Sequence, residues 1–175
     1  QKTLVCIAPD KQLVAITGDS PDETLSYLFK KEEIVTVQLA RACVPTESLN
    51  LSQFDALALG ADEWLALNAS QRDALEEFVS NGGVVFIPHR PTFPLPLGEK
   101  EIERRGSLIA NRWGMGKVIS PASGPEYEKS LRAKDPQLKE DLLQMLGLLS
   151  ERLHPNPLLA PGAAELFEPV LLFEE

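Results

Sequence analysis

Three short polar segments of the sequence could do chemistry, because each one follows a stretch that is predicted to be a β-strand. In chain order they contribute Asp19 and Ser20, then Asp62 and Glu63, and finally His89 and Arg90. In open α/β sheets, ligands bind beyond the carboxyl ends of the strands. We therefore expect these side chains to lie near one another, and we take them as the ligand-binding candidates.

This set of side chains is compatible with hydrolysis, but each member also has a simpler explanation. A hydrolase could use Asp19, Asp62 and His89, or a Ser-His-Asp arrangement that includes Ser20. On the simpler interpretation, Ser20 caps a helix, His89 is a loop residue between prolines, and the acids are loop carboxylates. Acids without a neighbouring pair of histidines are a weak indication of a metal site. We assign no catalytic residue, no metal and no cofactor.

The elements that would position these residues alternate between strand and helix. One helix follows Ser20, with Pro21 at its first position, and an amphipathic helix is predicted over Asn68–Ser80. The predicted strands are Leu13–Thr17, Ile34–Leu39, Asp55–Gly60 and Val84–Ile87. Such alternation is typical of a parallel sheet covered by helices. The sequence predicts an α/β fold, a three-layer α/β/α sandwich with a mostly parallel, flavodoxin-like sheet.

Turn residues predict the remaining elements and the domain limits. Lys2–Ala8 is predicted to form a hairpin with the Leu13–Thr17 strand, residues 88–98 an extended loop, and residues 99–105 a solvated turn. A β-hairpin around Gly114-Met115-Gly116 is added to the sheet. Helices are expected from Pro125 to Arg132 and from Asp135 to about Leu153. We assign residues 1–153 to the α/β domain and residues 154–175, which contain four prolines, to a tail or arm.

Several of these segments together resemble a known superfamily. Phe54–Gly60 is an apolar strand, and Leu75–Ile87 carries a helix end, the pattern F-V-x-x-G-G and the next strand. In this order they resemble the class I glutamine amidotransferase-like superfamily. Arg112–Ile119 looks like the G-x-G-x-V hairpin of many members that are not amidotransferases. The resemblance covers roughly residues 13–150 and implies a fold rather than a function.

The resemblance implies a branch of the superfamily that is not catalytic. Catalytic members need a cysteine on a glycine-flanked turn between strand and helix, together with a histidine and an acid. Here the strand Val84–Ile87 is followed by Pro88-His89-Arg90-Pro91. Cys6 falls in a predicted strand and Cys43 in a predicted loop, and we expect them to be buried thiols or a disulfide pair.

Composition and charge narrow the classes of partner. The chain has 26 acidic and 17 basic residues among 175, which gives a net charge of −9. This charge repels a nucleic-acid backbone and an anionic membrane surface. No apolar run approaches the roughly 20 residues of a membrane span. We therefore expect that nucleic acid is not a partner of the chain and that the chain contains no membrane span.

A partner protein or a small ligand remains as the expected binding partner. Trp113 is the candidate partner contact, although a tryptophan beside a tight turn can also pack under its hairpin. The resemblance extends to soluble domains of bacterial membrane-associated proteins, and the chain begins at Gln1, which leaves room for an upstream segment. We expect the chain to be the soluble part of a membrane-associated or exported assembly and to be extracytoplasmic rather than cytoplasmic. The chain could also oligomerise. The alternative is a hydrolase of unknown substrate with a strand-end Asp/His cluster.

Overall fold

A computed structural model of the protein describes residues 11–19, 23–59, 63–88 and 100–148. Within these ranges one sheet has the strand order β2-β1-β3-β4-β7-β6-β5. The strands are β1 (Gln12–Thr17), β2 (Ile34–Leu39), β3 (Ala56–Leu59), β4 (Val84–Phe86), β5 (Lys100–Arg105), β6 (Leu108–Trp113) and β7 (Gly116–Pro121). Along this spatial order, the four neighbouring pairs β2-β1, β1-β3, β3-β4 and β4-β7 are parallel. The strand β6 is antiparallel to both of its neighbours, β7 and β5. The mostly parallel sheet and the added hairpin are both confirmed.

Helices cover both faces of this sheet. They are α1 (Glu23–Leu28), α2 (Ser48–Leu51), α3 (Glu63–Ala66), α4 (Ala69–Ser80), α5 (Gly124–Arg132) and α6 (Pro136–Leu146). Leu142 of α6 and Ala58 of β3 belong to one buried apolar cluster, on what we call the α6 face. Leu75 of α4 and Leu57 of β3 belong to a second cluster, on the α4 face. The predicted three-layer α/β/α sandwich is confirmed.

The interior strand β3 shows why the sheet needs a layer on each side. All of its residues, Ala56–Leu59, are buried. Successive side chains of a strand point to opposite faces, so a strand without polar residues must be covered twice. α1, α5 and α6 provide one cover, while α2 and α4 provide the other.

The helix α4 begins and ends where its sequence indicates. The side chain of Asn68 accepts a hydrogen bond from the backbone of Gln71, and the side chain of Gln71 accepts one from the backbone of Asn68. This reciprocal arrangement is a capping box, which satisfies backbone donors at the start of the helix. After Ser80 the chain turns through Gly82, whose φ of +110° is readily adopted only by glycine.

The charged segment predicted to be a solvated turn is instead a strand. Lys100–Arg105 forms β5 at one edge of the sheet. Its register shifts between Glu101 and Glu103, where the strand bulges against β6. Charged side chains and bulges are common on exposed edge strands because they discourage further pairing. Those same charges hide the apolar alternation by which strands are recognised in sequence.

The predicted N-terminal hairpin does not form along β1. From Val14 to Thr17, β1 pairs in parallel with β2 on one edge and with β3 on the other. A strand with two neighbours has no edge left for a hairpin partner. The other predicted member, Lys2–Ala8, lies outside the described residues.

Two further boundaries differ from the predictions. α6 ends at Leu146 rather than near Leu153, because Gly147 adopts a φ of +77° and closes the helix. The predicted loop that contains Cys43 includes a 3₁₀ turn, Arg41–Cys43, and is followed by the short helix α2.

Candidate functional site

The carboxyl ends of three neighbouring strands bring the described candidate residues together. Asp19 follows β1, Arg41 follows β2, and Glu63 is the first residue of α3 after β3. The connection from β1 to β2 runs through α1 on the α6 face, whereas that from β3 to β4 runs through α4 on the opposite face. The chain therefore switches faces between β1 and β3, which is where open α/β sheets bind ligands.

Arg41 joins the two acids at this switch point. Its Nε and Nη2 donate hydrogen bonds to the two carboxylate oxygens of Glu63, both at 3.1 Å. Its backbone N–H donates to Oδ1 of Asp19 at 3.0 Å, and its Nη2 lies 3.5 Å from Oδ2 of Asp19. A planar guanidinium that meets a carboxylate with two parallel hydrogen bonds gives a strong and well-oriented ion pair. We call these three residues the Arg41 triad.

The members of the triad differ in their exposure to solvent. Only 9% of the Glu63 side chain is exposed, against 59% of the Asp19 side chain and 40% of the Arg41 side chain. The hydrogen bond to Glu63 raises the pKa of Arg41 above its ordinary value, desolvation opposes this effect, and the charges of Glu63 and Asp19 add to it. A buried carboxylate is unfavourable unless it is paired. Arg41 supplies that pairing for Glu63.

Gln71 of α4 fixes the backbone that carries Arg41. Its Nε2 donates to the carbonyl oxygens of Arg41 and Val44, at 2.9 and 3.0 Å. Its Oε1 accepts from the backbone N–H of Asn68 at 3.1 Å. Gln71 is itself buried. One side chain therefore closes the start of α4 and holds the 41–44 segment against it.

The structure brings together two of the six sequence-predicted ligand-binding candidates. Asp19 and Glu63 meet through Arg41, as their positions after β1 and β3 predict. The other candidates stay predictions, because they lie outside the described residues: Ser20, Asp62, His89 and Arg90.

Sequence reasoning missed Arg41 and Gln71. A signal for Arg41 was present, since it lies two residues after Leu39 at the end of a predicted strand. The rule that selects residues beyond strand ends therefore applies to β2 as well as to its neighbours. No comparable signal marks Gln71, because its partners Arg41 and Val44 lie about thirty residues away in the sequence.

Trp113, the candidate partner contact, is half-buried at the end of β6. Its ring centroid lies 6.5 Å from that of Trp64 in α3, with 57° between the ring planes. Both tryptophans pack against the apolar cluster on the α4 face. Trp113 thus packs under its hairpin while part of it stays accessible, and its contact with a partner remains a prediction.

Three other features of the described residues were predicted from the sequence, and none of them forms a further site. Among these residues no group of three or more His, Cys, Asp and Glu side chains could hold a metal ion. No helix within the described ranges has the length and apolar character that crossing a membrane requires. Cys43 is a free and exposed thiol, so the expectation that it is buried or paired is wrong. Cys6 lies outside the described residues.

Comparison with known proteins yields likeness of fold alone. No family model matches the chain, and no curated protein matches it. Among solved structures, the cytoplasmic protein STM3548 from Salmonella typhimurium has a TM-score of 0.51 and 10% sequence identity, over 78% of this chain and 98% of that one. The E323A catalytic mutant of Gan42B, a GH42 β-galactosidase from G. stearothermophilus, has a TM-score of 0.48 and 13% identity, over 78% of this chain and 30% of that one. At these identities, the first of the two likenesses supports the α/β architecture and says nothing of activity.

Proposed function

We propose that this chain is a non-catalytic, amidotransferase-like module that binds a partner protein. The observation that carries the proposal is the Arg41 triad. At the point of the sheet where ligands usually bind, both described acids are engaged by one arginine. As in the superfamily members it resembles, we place the module in a membrane-associated or exported assembly.

The geometry of the triad disfavours acid–base chemistry at Glu63. A general acid or base must come within hydrogen-bonding reach of the proton that it transfers. Both oxygens of Glu63 already accept hydrogen bonds from Arg41, and the residue is 7% exposed. Asp19 is more exposed but is held by the backbone and the guanidinium of the same arginine. Through Arg41, the two acids therefore hold the carboxyl ends of β1, β2 and β3 together.

The order of elements supports the amidotransferase-like part of the proposal. Strand β3, helix α4, strand β4 and then the β6–β7 hairpin follow one another in the order in which that superfamily carries its motifs. After β4 the chain continues through Ile87 and Pro88, both buried, where catalytic members have a cysteine turn. This departure favours a module that uses its surface instead of a nucleophile.

Aromatic and apolar side chains of α3 and of the β6–β7 hairpin offer a surface for a protein partner. The ring centroids of Trp64 and Trp113 lie 6.5 Å apart. Leu65, beside Trp64 in α3, is 53% exposed, and Met115, at the tip of the hairpin that carries Trp113, is 79% exposed. Tryptophan and methionine are enriched in protein interfaces, and half-buried aromatic rings often anchor them. We call these four residues the Trp64–Trp113 patch.

Affinity capture with single variants tests this surface. Leu65→Asp and Met115→Asp place a charge within the patch, whereas Leu49→Asp and Ile102→Asp place one at exposed apolar residues elsewhere, which are 78% and 41% exposed. We expect a partner that is retained by the wild-type chain and by both controls to be lost from both patch variants. Equal retention by all four variants would overturn the proposed surface.

A panel of hydrolase assays tests the absence of catalysis. Glutamine, ester, phosphate-ester and glycoside substrates are incubated with the wild-type chain and with Asp19→Asn. We expect no turnover above that of buffer. Turnover that survives repurification and is lost in Asp19→Asn would contradict the proposal and favour the alternative, a hydrolase with a strand-end Asp/His cluster.

A further inference from the structure

Three basic residues lie side by side across the strands β5, β6 and β7. Lys100 is directly opposite Arg112, and Arg112 is directly opposite Lys117. Residues that face each other across neighbouring strands project from the same side of the sheet, with Cβ atoms about 5 Å apart. We call Lys100, Arg112 and Lys117 the basic row.

The basic row lies on the α6 face of the sheet. Lys117 pairs with Val84 of β4, and Val84 packs against the apolar cluster of that face. Two residues further along the same strands, Ala110 and Ile119 belong to the same cluster. Lys100 and Arg112 are exposed and Lys117 is half-buried, so the row borders the α6 layer rather than lying beneath it.

Within the described residues, no acid neutralises the basic row. The acids of β5 are engaged elsewhere, since Glu101 pairs with Arg104 and Glu103 pairs with Arg105. Like charges that are directly opposite across strands destabilise a sheet. This destabilisation is relieved when an anion lies over the row, and three cations on adjacent strands suit an extended segment with several carboxylates.

The chain itself contains such a segment. Residues 165–175 read Glu-Leu-Phe-Glu-Pro-Val-Leu-Leu-Phe-Glu-Glu, with four glutamates and no basic residue. They are connected to Leu148, which is buried on the α6 face, by sixteen residues. A connection of that length can extend to about 55 Å, which is more than the width of the domain. A tethered segment of this kind has an effective concentration on the order of millimolar.

We propose that the acidic segment, residues 165–175, docks on the basic row of its own chain. Its glutamates neutralise Lys100, Arg112 and Lys117, while its apolar side chains lie along Val84 and the aliphatic stems of the lysines. A nucleic acid or an anionic membrane fits the row less well, because the net charge of −9 repels an extended polyanion. Docking of this kind would add a strap across the end of the sheet that carries the hairpin.

Carbodiimide cross-linking of the full chain tests the docking. The reagent couples a glutamate to a lysine amine that lies in contact with it, and mass spectrometry identifies the linked pair. We expect links from the glutamates of residues 165–175 to Lys100 and Lys117. In the double variant Arg112→Gln and Lys117→Gln, the link to Lys100 should fall about fivefold or more, because two of the three attracting charges are lost.

A second basic cluster provides the matched control. Lys134 and Lys139 both lie over the ring of Tyr27, at 5.8 and 5.6 Å from its centroid. The double variant Lys134→Gln and Lys139→Gln removes the same charge from the chain and should leave the link to Lys100 unchanged.

Two results would overturn the proposal. One is a set of links that reaches Lys134 and Lys139 as readily as the basic row, or that omits the row. The other is a link between chains, which a mixture of ¹⁵N-labelled and unlabelled protein reveals as mixed-isotope pairs. The predicted result is that every link joins residues of one isotope.

Discussion

At the level of single residues, the switch point is built from an arginine and two acids that stabilise one another. Sequence position alone predicts that Asp19 and Glu63 approach each other, because both follow strands that are adjacent in the sheet. It does not predict that Arg41 lies between them, since ion pairing depends on side-chain geometry across β1, β2 and β3. Asp19 and Glu63 are therefore members of the Arg41 triad, and their contact with a ligand stays a prediction.

Gln71 is the residue on which the position of Arg41 depends most directly. Gln71→Leu removes the donors to the carbonyls of Arg41 and Val44, and we expect it to lower the free energy of unfolding by about 2 kcal/mol. Gln53→Leu is the matched control, because the Nε2 of Gln53 donates an exposed hydrogen bond to the backbone oxygen of Asn50 in α2. Urea unfolding measures both. Equal effects of the two variants would show that Gln71 does not hold this segment.

The ion pair between Glu101 and Arg104 makes a small, pH-dependent contribution to the stability of the folded state. The hydrogen bond from Arg104 lowers the pKa of Glu101 below its ordinary value, with desolvation opposing and Coulombic attraction assisting. A lowered folded pKa means that the contribution is present above the ordinary value and is lost as the pH falls through the folded value.

A ¹³C NMR titration of the Glu101 carboxyl tests this pair. We expect the titration midpoint of Glu101 to lie below the ordinary glutamate value. Arg104→Gln should return the midpoint to the ordinary value. Arg105→Gln should leave the lowered midpoint unchanged, because Arg105 pairs with Glu103 instead. A midpoint that does not respond to Arg104→Gln would contradict the assignment.

At the level of elements, apolar patterns predict buried strands and helices well and predict the exposed edge poorly. β3 and α4 are recognised because the apolar residues that they bury form a continuous run in the strand and one face of the helix. β5 is missed because an edge strand made almost entirely of charged residues has no apolar period. The end of α6 depends on a single glycine, Gly147, within a sequence whose leucines continue beyond it.

The contact between the hairpin and α4 depends on the absence of a side chain at Gly116. A Cβ atom at this position would lie 2.2 Å from the carbonyl oxygens of Gly83 and Val79, which are backbone atoms. We expect Gly116→Ala to lower the free energy of unfolding by about 3 kcal/mol or more. Gly124→Ala is the control, since nothing lies within 4 Å of a Cβ there. A tolerated Gly116→Ala would mean that the hairpin docks differently.

At the level of the whole molecule, the sheet separates two apolar clusters that stabilise one fold. Ile16 belongs to the cluster on the α6 face and Ile87 to that on the α4 face. The division was predictable from sequence, because alternate strand residues face opposite layers. The surface charge was not, since composition gives a net charge of −9 but not the row of cations across three strands.

Substitutions on the two faces should act independently. Ile16→Val and Ile87→Val should each lower the free energy of unfolding by about 1 kcal/mol, because each removes one buried methylene. The double variant should lose the sum of the two effects, since the sites share no cluster. Chemical denaturation of the four proteins measures this. A departure from the sum by more than about 0.5 kcal/mol would indicate that the faces are coupled.

The central claim is that Arg41 and Glu63 act as a structural pair, and a double-mutant cycle tests it most directly. The wild type, Arg41→Met, Glu63→Leu and the double variant are compared by urea unfolding. Arg41→Met leaves the buried carboxylate of Glu63 unpaired, and Glu63→Leu leaves the half-buried guanidinium of Arg41 without its bidentate partner, whereas the double variant leaves neither group. We therefore expect the double variant to be distinctly more stable than the sum of the single effects predicts. Strictly additive effects would contradict the pairing and leave Glu63 free for another role.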